Sequence, residues 1–161
     1  MLPYILNSIK QLEKAGADFI VLPCNTLHAL LPELKKHSKI EFIDLIEETS
    51  GEIKKKYKKV AILGTTKTRN EKLYDKALKN IDIIYPSKKE QKELSKIIVR
   101  IIRKKHKKTD KIYLEKLINS LIKKGAEKVI LACTDLANLI DNKNTIDTSE
   151  ILIDSIKAKI F

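Results

Sequence analysis

The sequence carries one short pattern twice, and this duplication constrains the fold more than any other feature. The copies occupy residues 14–24 and 123–133, and each ends on one of the two cysteines of the chain. Gly16 stands as many residues before Cys24 as Gly125 stands before Cys133. A helix end, a turn and a buried strand therefore recur without a gap. The repeat predicts two related lobes that each present one thiol.

Apolar segments rich in Ile, Leu and Val alternate with segments of helical spacing along the whole chain. The spacing predicts strands at 18–23, 40–43, 59–64 and 81–85 and before Cys133, and helices at 4–15, 27–36 (interrupted by Pro32), 47–56, 71–78, 89–104 and 113–124. Such alternation is typical of parallel sheets covered by helices on both faces. We therefore expect an α/β fold with two pseudo-symmetric lobes of parallel sheet flanked by helices. The first lobe comprises residues 1–57, completed by 146–161, and the second comprises 58–145.

The repeat also predicts that the first lobe is incomplete. Gly64 ends the opening strand of the second lobe far upstream of Cys133, and the equivalent position relative to Cys24 falls before Met1. We therefore expect a chain truncated at its N-terminus, whose first sheet exposes an edge. Unpaired strand edges recruit other chains, so we also expect a homo-oligomer.

Charge and composition exclude several classes of protein. The net charge of +12 raises nucleic acid as a partner. However, the basic residues lie along most predicted helices, and no aromatic residues are interleaved to stack on bases, so a solvated surface is the preferred interpretation and no nucleic acid is expected. No window approaches the roughly 18 apolar residues of a membrane span, and no leader is evident, which favours a cytoplasmic protein. Two thiols alone are too few for a zinc site.

Both cysteines are predicted at the carboxyl ends of parallel strands, where ligands of open α/β folds bind. A helix that begins just after each thiol directs free N–H groups at the crevice, which lowers the thiol pKa from roughly 8.5 and holds a carboxylate. A strand cysteine is also often no more than a small buried hydrophobe. The duplication favours the chemical interpretation: a cleft with a thiol on either side suits proton transfer between two faces of a carbon.

The residues around the two thiols resemble a known group. The segment 23–28 resembles the Cys-Asn-Thr-x-His motif, and the segment 132–136 the Gly-Cys-Thr-Glu motif, of the aspartate/glutamate racemase superfamily, with aspartate racemases as the nearest match. The resemblance extends over the whole chain. It implies a cofactor-independent enzyme, without pyridoxal phosphate or metal, that racemises a small acidic amino acid. It also implies that Cys24 and Cys133 are the acid/base pair.

The resemblance assigns further roles by position. Asn25, Thr26 and Thr134 are expected to hold the α-carboxylate. Thr65 and Thr66 match a threonine loop of the family that either completes this cradle or only caps a turn. Arg103 stands where relatives that handle acidic amino acids carry a lysine for the distal carboxylate.

Two supporting residues flank the thiols. His28 follows Cys24 by one helical turn and either orients Asn25 or the thiol, or is a structural histidine. Asp135 replaces the usual glutamate beside Cys133, and Ala132 replaces the usual glycine. The alternative to an active racemase is a catalytically impaired remnant that acts as a ligand-binding or subunit-interaction protein.

Overall fold

A computed structural model describes residues 2–161. These residues form six β-strands, a 3₁₀ helix at Asn25–Leu30 and nine α-helices. The strands are β1 (Phe19–Val21), β2 (Glu41–Ile43), β3 (Lys59–Gly64), β4 (Asp82–Ile84), β5 (Lys128–Ala132) and β6 (Thr145–Asp147). The α-helices are α1 (Leu2–Lys14), α2 (Leu31–Lys36), α3 (Leu45–Lys56), α4 (Thr66–Asn70), α5 (Leu73–Ala77), α6 (Lys88–Ile102), α7 (Lys108–Lys123), α8 (Thr134–Ala137) and α9 (Thr148–Ile160).

The strands form two separate parallel sheets, which confirms the expected α/β class. The larger sheet has the order β4-β3-β5-β6, and the smaller contains β1 and β2 alone. In the larger sheet β5 is paired on both sides, by β3 and β6. Its counterpart in the repeat, β1, has one paired edge within residues 2–161. The two lobes are thus related in architecture but unequal in size.

The repeat is also visible in the backbone. Gly16 and Gly125 end α1 and α7 with φ angles of 78° and 97°, a region that favours glycine. In each copy the next residue donates its N–H to a carbonyl five residues earlier: Ala17 to Leu12 (3.1 Å) and Ala126 to Leu121 (3.2 Å). Both copies therefore turn from helix into strand by the same device.

Two predicted helices differ from the observed ones. Pro32 does not interrupt a helix, because it stands in the first turn of α2, where a missing N–H does no harm. The helix predicted at 71–78 is replaced by α4 and α5. They are separated at Lys72, whose φ of 51° is left-handed. Local propensity did not indicate this break.

The C-terminal segment contributes to both lobes. β6 pairs with β5 in the larger sheet, whereas α9 packs on α3 and β2. Leu152 of α9 is buried beside Ile43 and Leu45 in a small apolar cluster that covers one face of the smaller sheet. The division of the chain into 1–57 with 146–161 and 58–145 stays a prediction.

Gly64 allows β3 and β5 to approach closely at their carboxyl ends. It stands opposite Ala132, and a Cβ added to Gly64 would lie 2.9 Å from the Ala132 carbonyl oxygen. Such a distance is too short for a real contact, and the clash is with backbone. The strand end before Cys133 therefore depends on glycine at position 64.

We predict that Gly64→Ala lowers the free energy of unfolding by about 1–3 kcal/mol, since β3 or β5 must shift to relieve the overlap. Chemical denaturation of both proteins measures the difference. Gly51→Ala is the matched control, because nothing lies within 4 Å of its added Cβ and alanine favours the helix α3. A Gly64→Ala variant as stable as the unmodified chain would contradict the close approach.

Candidate active site

The two cysteines occupy equivalent positions with the same backbone conformation. Cys24 follows β1 and precedes the 3₁₀ helix, with φ −152° and ψ 107°. Cys133 follows β5 directly and precedes α8, with φ −150° and ψ 115°. Both thiols are free; Cys24 is half-buried and Cys133 is buried. The sequence repeat therefore corresponds to a structural repeat at the thiols themselves.

A direct hydrogen bond joins the two cysteine loops. The Thr134 hydroxyl donates to the carbonyl oxygen of Pro23 across 3.3 Å. Thr134 follows Cys133, and Pro23 precedes Cys24. The bond therefore brings the two thiol-bearing turns together at one edge of the molecule, as the repeat predicts.

Three threonine hydroxyls form a cluster beside these loops. Thr26 Oγ1 lies 2.8 Å from Thr65 Oγ1 and 3.1 Å from Thr68 Oγ1, and the last two atoms are 3.0 Å apart. Thr65 also caps α4 by accepting a hydrogen bond from the Thr68 N–H. The cluster connects the first cysteine loop to the end of β3 and supplies hydroxyls in both lobes.

Thr66 lies outside this cluster. Its side chain is exposed, and its hydroxyl lies 2.9 Å from that of Ser95 on α6. The structure therefore separates Thr65, which faces Thr26, from Thr66, which faces another helix.

The side chain of Asn25 is buried, with 1% of its surface exposed. Its Oδ1 accepts a hydrogen bond from the Tyr74 hydroxyl (2.6 Å), and its Nδ2 donates to Thr148 Oγ1 (3.1 Å). Both ends of the amide are therefore engaged by protein groups.

His28 is buried and forms a hydrogen bond with the first cysteine loop. Its Nε2 accepts the N–H of Leu45 at 3.1 Å, so this nitrogen carries no proton, and Nδ1–H must donate to the carbonyl of Cys24 at 3.0 Å. Asp44 lies 3.6 Å from Nε2, yet no ion pair forms because the ring is neutral. Burial lowers the pKa of His28 and thereby keeps the ring neutral. Both ring nitrogens of His28 are therefore engaged by backbone groups, and its role at the site stays a prediction.

The pKa of the Cys133 thiol is raised, whereas the sequence predicts that it is lowered. Burial raises this pKa to about 11, and the nearby Asp135 carboxylate and Cys24 add to this effect. Backbone N–H groups of Asp135 and Leu136 act in the opposite direction but are weaker. The expectation that a helix start lowers the pKa was wrong for this thiol, because α8 has four residues and the thiol is desolvated.

Asp135 lies within hydrogen-bonding distance of Cys133. Its Oδ2 lies 3.8 Å from Cys133 Sγ, which donates to it in the thiol form. The negative charge of this carboxylate adds to the effect of burial and raises the pKa of Cys133 further.

Arg103 ends α6 at an exposed position. α6 begins beside the carboxyl end of β3, where Gln91 Nε2 donates to the Gly64 carbonyl (3.0 Å). It is antiparallel to α7, as shown by two ion pairs at opposite ends, Lys124–Glu90 (3.7 Å) and Arg100–Asp110 (2.7 Å). The position of Arg103 relative to the two thiols stays a prediction.

Tyr74, Thr148 and Thr68 contact the predicted site residues but were not assigned by the sequence. Thr68 belongs to the threonine loop, and Thr148 to the segment 145–152, which echoes 42–49. Both patterns were sufficient to find these residues. Nothing in the sequence indicated Tyr74, because it contacts Asn25 only through the fold.

Other binding features lie away from the thiols or are absent from the described residues. Two cavities of about 840 and 810 Å³ lie beside α3, and no cysteine lines either of them. Within residues 2–161, no three His, Cys, Asp or Glu side chains are grouped closely enough to hold a metal ion. The helices of the same segment are all too short or too polar to cross a membrane.

Comparison with known proteins gives one consistent family. The profile of the Asp/Glu/hydantoin racemase family matches residues 2–160. The chain is 32% identical over 139 residues to the broad specificity amino-acid racemase RacX of Bacillus subtilis (strain 168). That alignment covers 86% of this chain and 61% of RacX, so the chain spans less than two thirds of this relative.

Two solved structures share the fold and more than a quarter of the aligned residues. An aspartate racemase homologue from Pyrococcus horikoshii OT3 superimposes with a TM-score of 0.82 at 28% identity, covering 98% of this chain and 73% of that one. The aspartate racemase of Picrophilus torridus gives a TM-score of 0.81 at 28% identity, covering 97% and 68%.

The raised pKa of Cys133 predicts how its alkylation depends on pH. Roughly one molecule in 10⁴ carries the thiolate at pH 7, since the pKa is about 11. The rate of iodoacetamide labelling of Cys133, followed by mass spectrometry of its peptide, should rise about tenfold per pH unit up to about pH 10. Asp135→Asn should raise the rate at a given pH, because a nearby negative charge is removed. A plateau below pH 9 would contradict the effect of burial.

Proposed function

Because the chain belongs to the Asp/Glu/hydantoin racemase family, we propose that it racemises aspartate or a close acidic analogue, without a cofactor, by proton transfer between Cys24 and Cys133. One observation carries the proposal: two thiols in the same backbone conformation stand on loops joined by the bond from Thr134 to Pro23. Two reduced cysteines at the reaction centre fit a cytoplasmic protein.

The proposed reaction moves one proton on and one proton off the α-carbon. A thiolate on one face removes the Cα proton, and a thiol on the opposite face donates its own proton to the carbanion. The two sulfurs exchange protonation states, so the product has the opposite handedness. Cys133 begins as the thiol, since burial raises its pKa. For the other enantiomer Cys133 starts as the thiolate and acts as base, and Cys24 starts as the thiol and donates its proton. Asp135 Oδ2, 3.8 Å from Cys133 Sγ, accepts a hydrogen bond from the thiol form of Cys133.

Hydrogen-bond donors beside the thiols stabilise the negative charge that develops on the substrate carboxylate. Thr26 and Thr65 supply hydroxyls from the two lobes, 2.8 Å apart. Thr134 is proposed to supply its backbone N–H at the start of α8, because its hydroxyl already donates to the carbonyl oxygen of Pro23. Arg103, which is exposed after the end of α6, is proposed to bind the distal carboxylate of an acidic substrate by charge-assisted hydrogen bonds.

A second candidate function is an impaired remnant that binds an acidic ligand or another subunit. It is favoured by the smaller sheet, in which β1 pairs only with β2 among residues 2–161. A two-stranded sheet has little independent stability. In that case one side of the substrate cradle is loosely held.

The racemase proposal predicts that Cys24→Ala and Cys133→Ala each abolish interconversion of L- and D-aspartate, because each handedness needs a base on one face and an acid on the other. Circular dichroism of the amino acid measures racemisation, and uptake of solvent deuterium at Cα by proton NMR measures proton removal. Full racemisation by either variant would refute the two-thiol mechanism.

Two comparisons complete this experiment. Thr66→Ala, at the exposed position outside the threonine cluster, is the matched control and should keep the activity of the unmodified chain. Alanine should be a poorer substrate than aspartate if Arg103 selects acidic side chains. Binding of aspartate without deuterium uptake would favour the ligand-binding alternative.

The free edge of β1 is proposed to pair with a second copy of the chain. The N–H and C=O groups on this edge have no strand partner within residues 2–161, whereas β5 is paired on both edges. The helix α1, which packs on the same lobe, also exposes Tyr4 (81%) and Leu12 (42%). An unpaired edge with apolar neighbours favours association.

Self-association should therefore protect the β1 edge. We expect a dimer or larger assembly by sedimentation velocity, and slower hydrogen exchange at Phe19–Val21 as protein concentration rises. The amides of β5, paired on both sides at every concentration, are the internal control. This edge would be excluded as an interface if the chain stays a monomer and the β1 amides exchange at the same rate over about a 100-fold range of protein concentration.

A further inference from the structure

We infer that the chain carries a binding site for a phosphate group between α4 and α6, in which Arg69, Lys88 and Lys92 provide the positive charge. A cavity of about 450 Å³ opens between these helices, and all three side chains line it. Neither cysteine does, so the site is separate from the two thiols. Binding here is independent of the proposed racemase activity.

Two helix faces form the walls of the cavity. The residues of α6 that line it are spaced as i, i+3, i+4 and i+7 and therefore share one face of the helix: Lys88, Gln91, Lys92 and Ser95. The residues of α4 that line it also share one face: Thr66, Arg69 and Asn70. The hydroxyls of Thr66 and Ser95 lie 2.9 Å apart and join the two walls. The three cations therefore face one gap between linked helices.

The protein does not neutralise the positive charge of this cavity. No Asp or Glu side chain is among the lining residues. Within residues 2–161, Arg69, Lys88 and Lys92 form no ion pair, whereas Lys55 and Lys56 on α3 are both paired with Glu52. Uncompensated cations that share one cavity favour an anion with more than one charge.

The two glutamates of α6 that are nearest in sequence are engaged by other partners. Glu90 accepts a hydrogen bond from the Ser87 N–H (2.7 Å) as part of the capping box. Glu93 pairs with Lys96 (3.2 Å) and Arg100 (3.1 Å). Because both carboxylates already have partners, the cations of the cavity remain available to an external anion.

Arg69 is oriented by the protein itself. Its Nη1 donates to the carbonyl oxygen of Pro86 (2.9 Å), and its guanidinium carbon lies 5.3 Å from the centre of the Tyr85 ring. The Tyr85 hydroxyl donates to Asp75 (2.6 Å), which fixes the ring in turn. The bond to Pro86 is the one hydrogen bond that the Arg69 side chain makes to residues 2–161. Its other N–H donors form a planar fork that suits the oxygens of a phosphate.

A phosphate group fits the site better than a single carboxylate. A phosphate monoester carries a charge of about −1.5 to −2 at neutral pH and three accepting oxygens, so it can contact several cations at once. The site also adjoins the first turn of α6, a helix of 15 residues whose N-terminal dipole favours an anion. The cavity volume of about 450 Å³ lies within the range of small-molecule sites, about 300–1,000 Å³.

Inorganic phosphate is the probe that tests the site. We expect NMR spectra of the unmodified chain to show saturable shifts of the backbone N–H signals of Arg69, Lys88 and Lys92, with a Kd at or below about 5 mM. The ionic strength is kept at about 150 mM by replacing sodium chloride with phosphate, because salt screens exposed charges. Shifts that do not saturate by about 40 mM phosphate would overturn the site.

Lys88→Gln and Lys92→Gln each remove one charged contact and should raise the Kd about fivefold or more. Lys89→Gln is the matched control, because it makes the same change of charge at an exposed position of α6 that does not line the cavity. It should change the Kd by less than about 1.5-fold, since a charge outside the cavity is screened. An equal loss of affinity in Lys89→Gln would show that net charge alone attracts the anion, which would overturn the site.

Arg69→Lys keeps the charge but loses the planar fork, and should raise the Kd about threefold or more. Thermal melting followed by circular dichroism checks that this variant is folded. Lys88 and Lys92 are exposed, so their variants test the site without disturbing the core. A folded Arg69→Lys variant that binds phosphate as tightly as the unmodified chain would overturn the role of Arg69.

Two further ligands distinguish the sources of the phosphate group. Tighter binding of glycerol 3-phosphate than of inorganic phosphate would assign the site to a phosphorylated metabolite, and the reverse order would assign it to free phosphate. Aspartate that shifts the same signals equally at the same concentration would overturn the preference for phosphate. Phosphate shifts centred on the N–H groups of Thr26 and Thr134, beside the thiols, would overturn the location.

None of these measurements requires turnover, so the two proposals fail separately. A chain that binds phosphate in this cavity but does not racemise aspartate would refute the racemase proposal and support the anion site. An active racemase in which phosphate leaves the signals of Arg69, Lys88 and Lys92 unchanged would refute the anion site alone.

Discussion

The register between β3 and β5 determines where every other part of the site lies. Five residue pairs hold these strands in parallel, from Val60 opposite Lys128 to Gly64 opposite Ala132. The two strands therefore end level, and the residues that follow them, Thr65 and Cys133, leave the sheet at the same edge. The close contact at the last pair requires glycine on one side. A slip of one residue would turn the thiol to the other face of the sheet.

Reactivity at this edge is a balance between burial and hydrogen bonding. Desolvation and the negative charge of Asp135 hold Cys133 as a thiol, whereas the neighbouring N–H groups favour loss of its proton. A fully exposed thiol would lose its proton more readily but would also be open to oxidation and water. The short α8 contributes only a few N–H groups, so it does not outweigh burial. Under the proposed mechanism, this balance suits a proton donor that becomes a base only when substrate is bound.

The sequence was sufficient for features that depend on local geometry or on repetition. Gly16 and Gly125 predicted matching helix ends, and the two cysteines predicted matching positions after strands, because each depends on a few adjacent residues. The hydrogen bonds of Asn25 and His28 involve partners distant in the chain: Asn25 bonds to Tyr74 and Thr148, and His28 to the backbone of Leu45. A motif shows which side chains are present, but not which hydrogen bonds the fold satisfies. The pKa of Cys133 was mispredicted for the same reason, since burial is a property of the whole lobe.

The two halves of the site differ in how firmly they are held, and this asymmetry bears on the chemistry. Cys133 follows a central strand with partners on both sides, in a core that includes α6 and α7. Cys24 follows a three-residue strand with one strand partner. Regions with fewer paired backbone groups open at lower free energy. The loop of Cys24 therefore depends more on individual side-chain hydrogen bonds. His28 bonds to the carbonyl oxygen of Cys24, and Asn25 bonds to Tyr74 of the other lobe. Cross-lobe hydrogen bonds at the first thiol replace the order that a wider sheet gives the second.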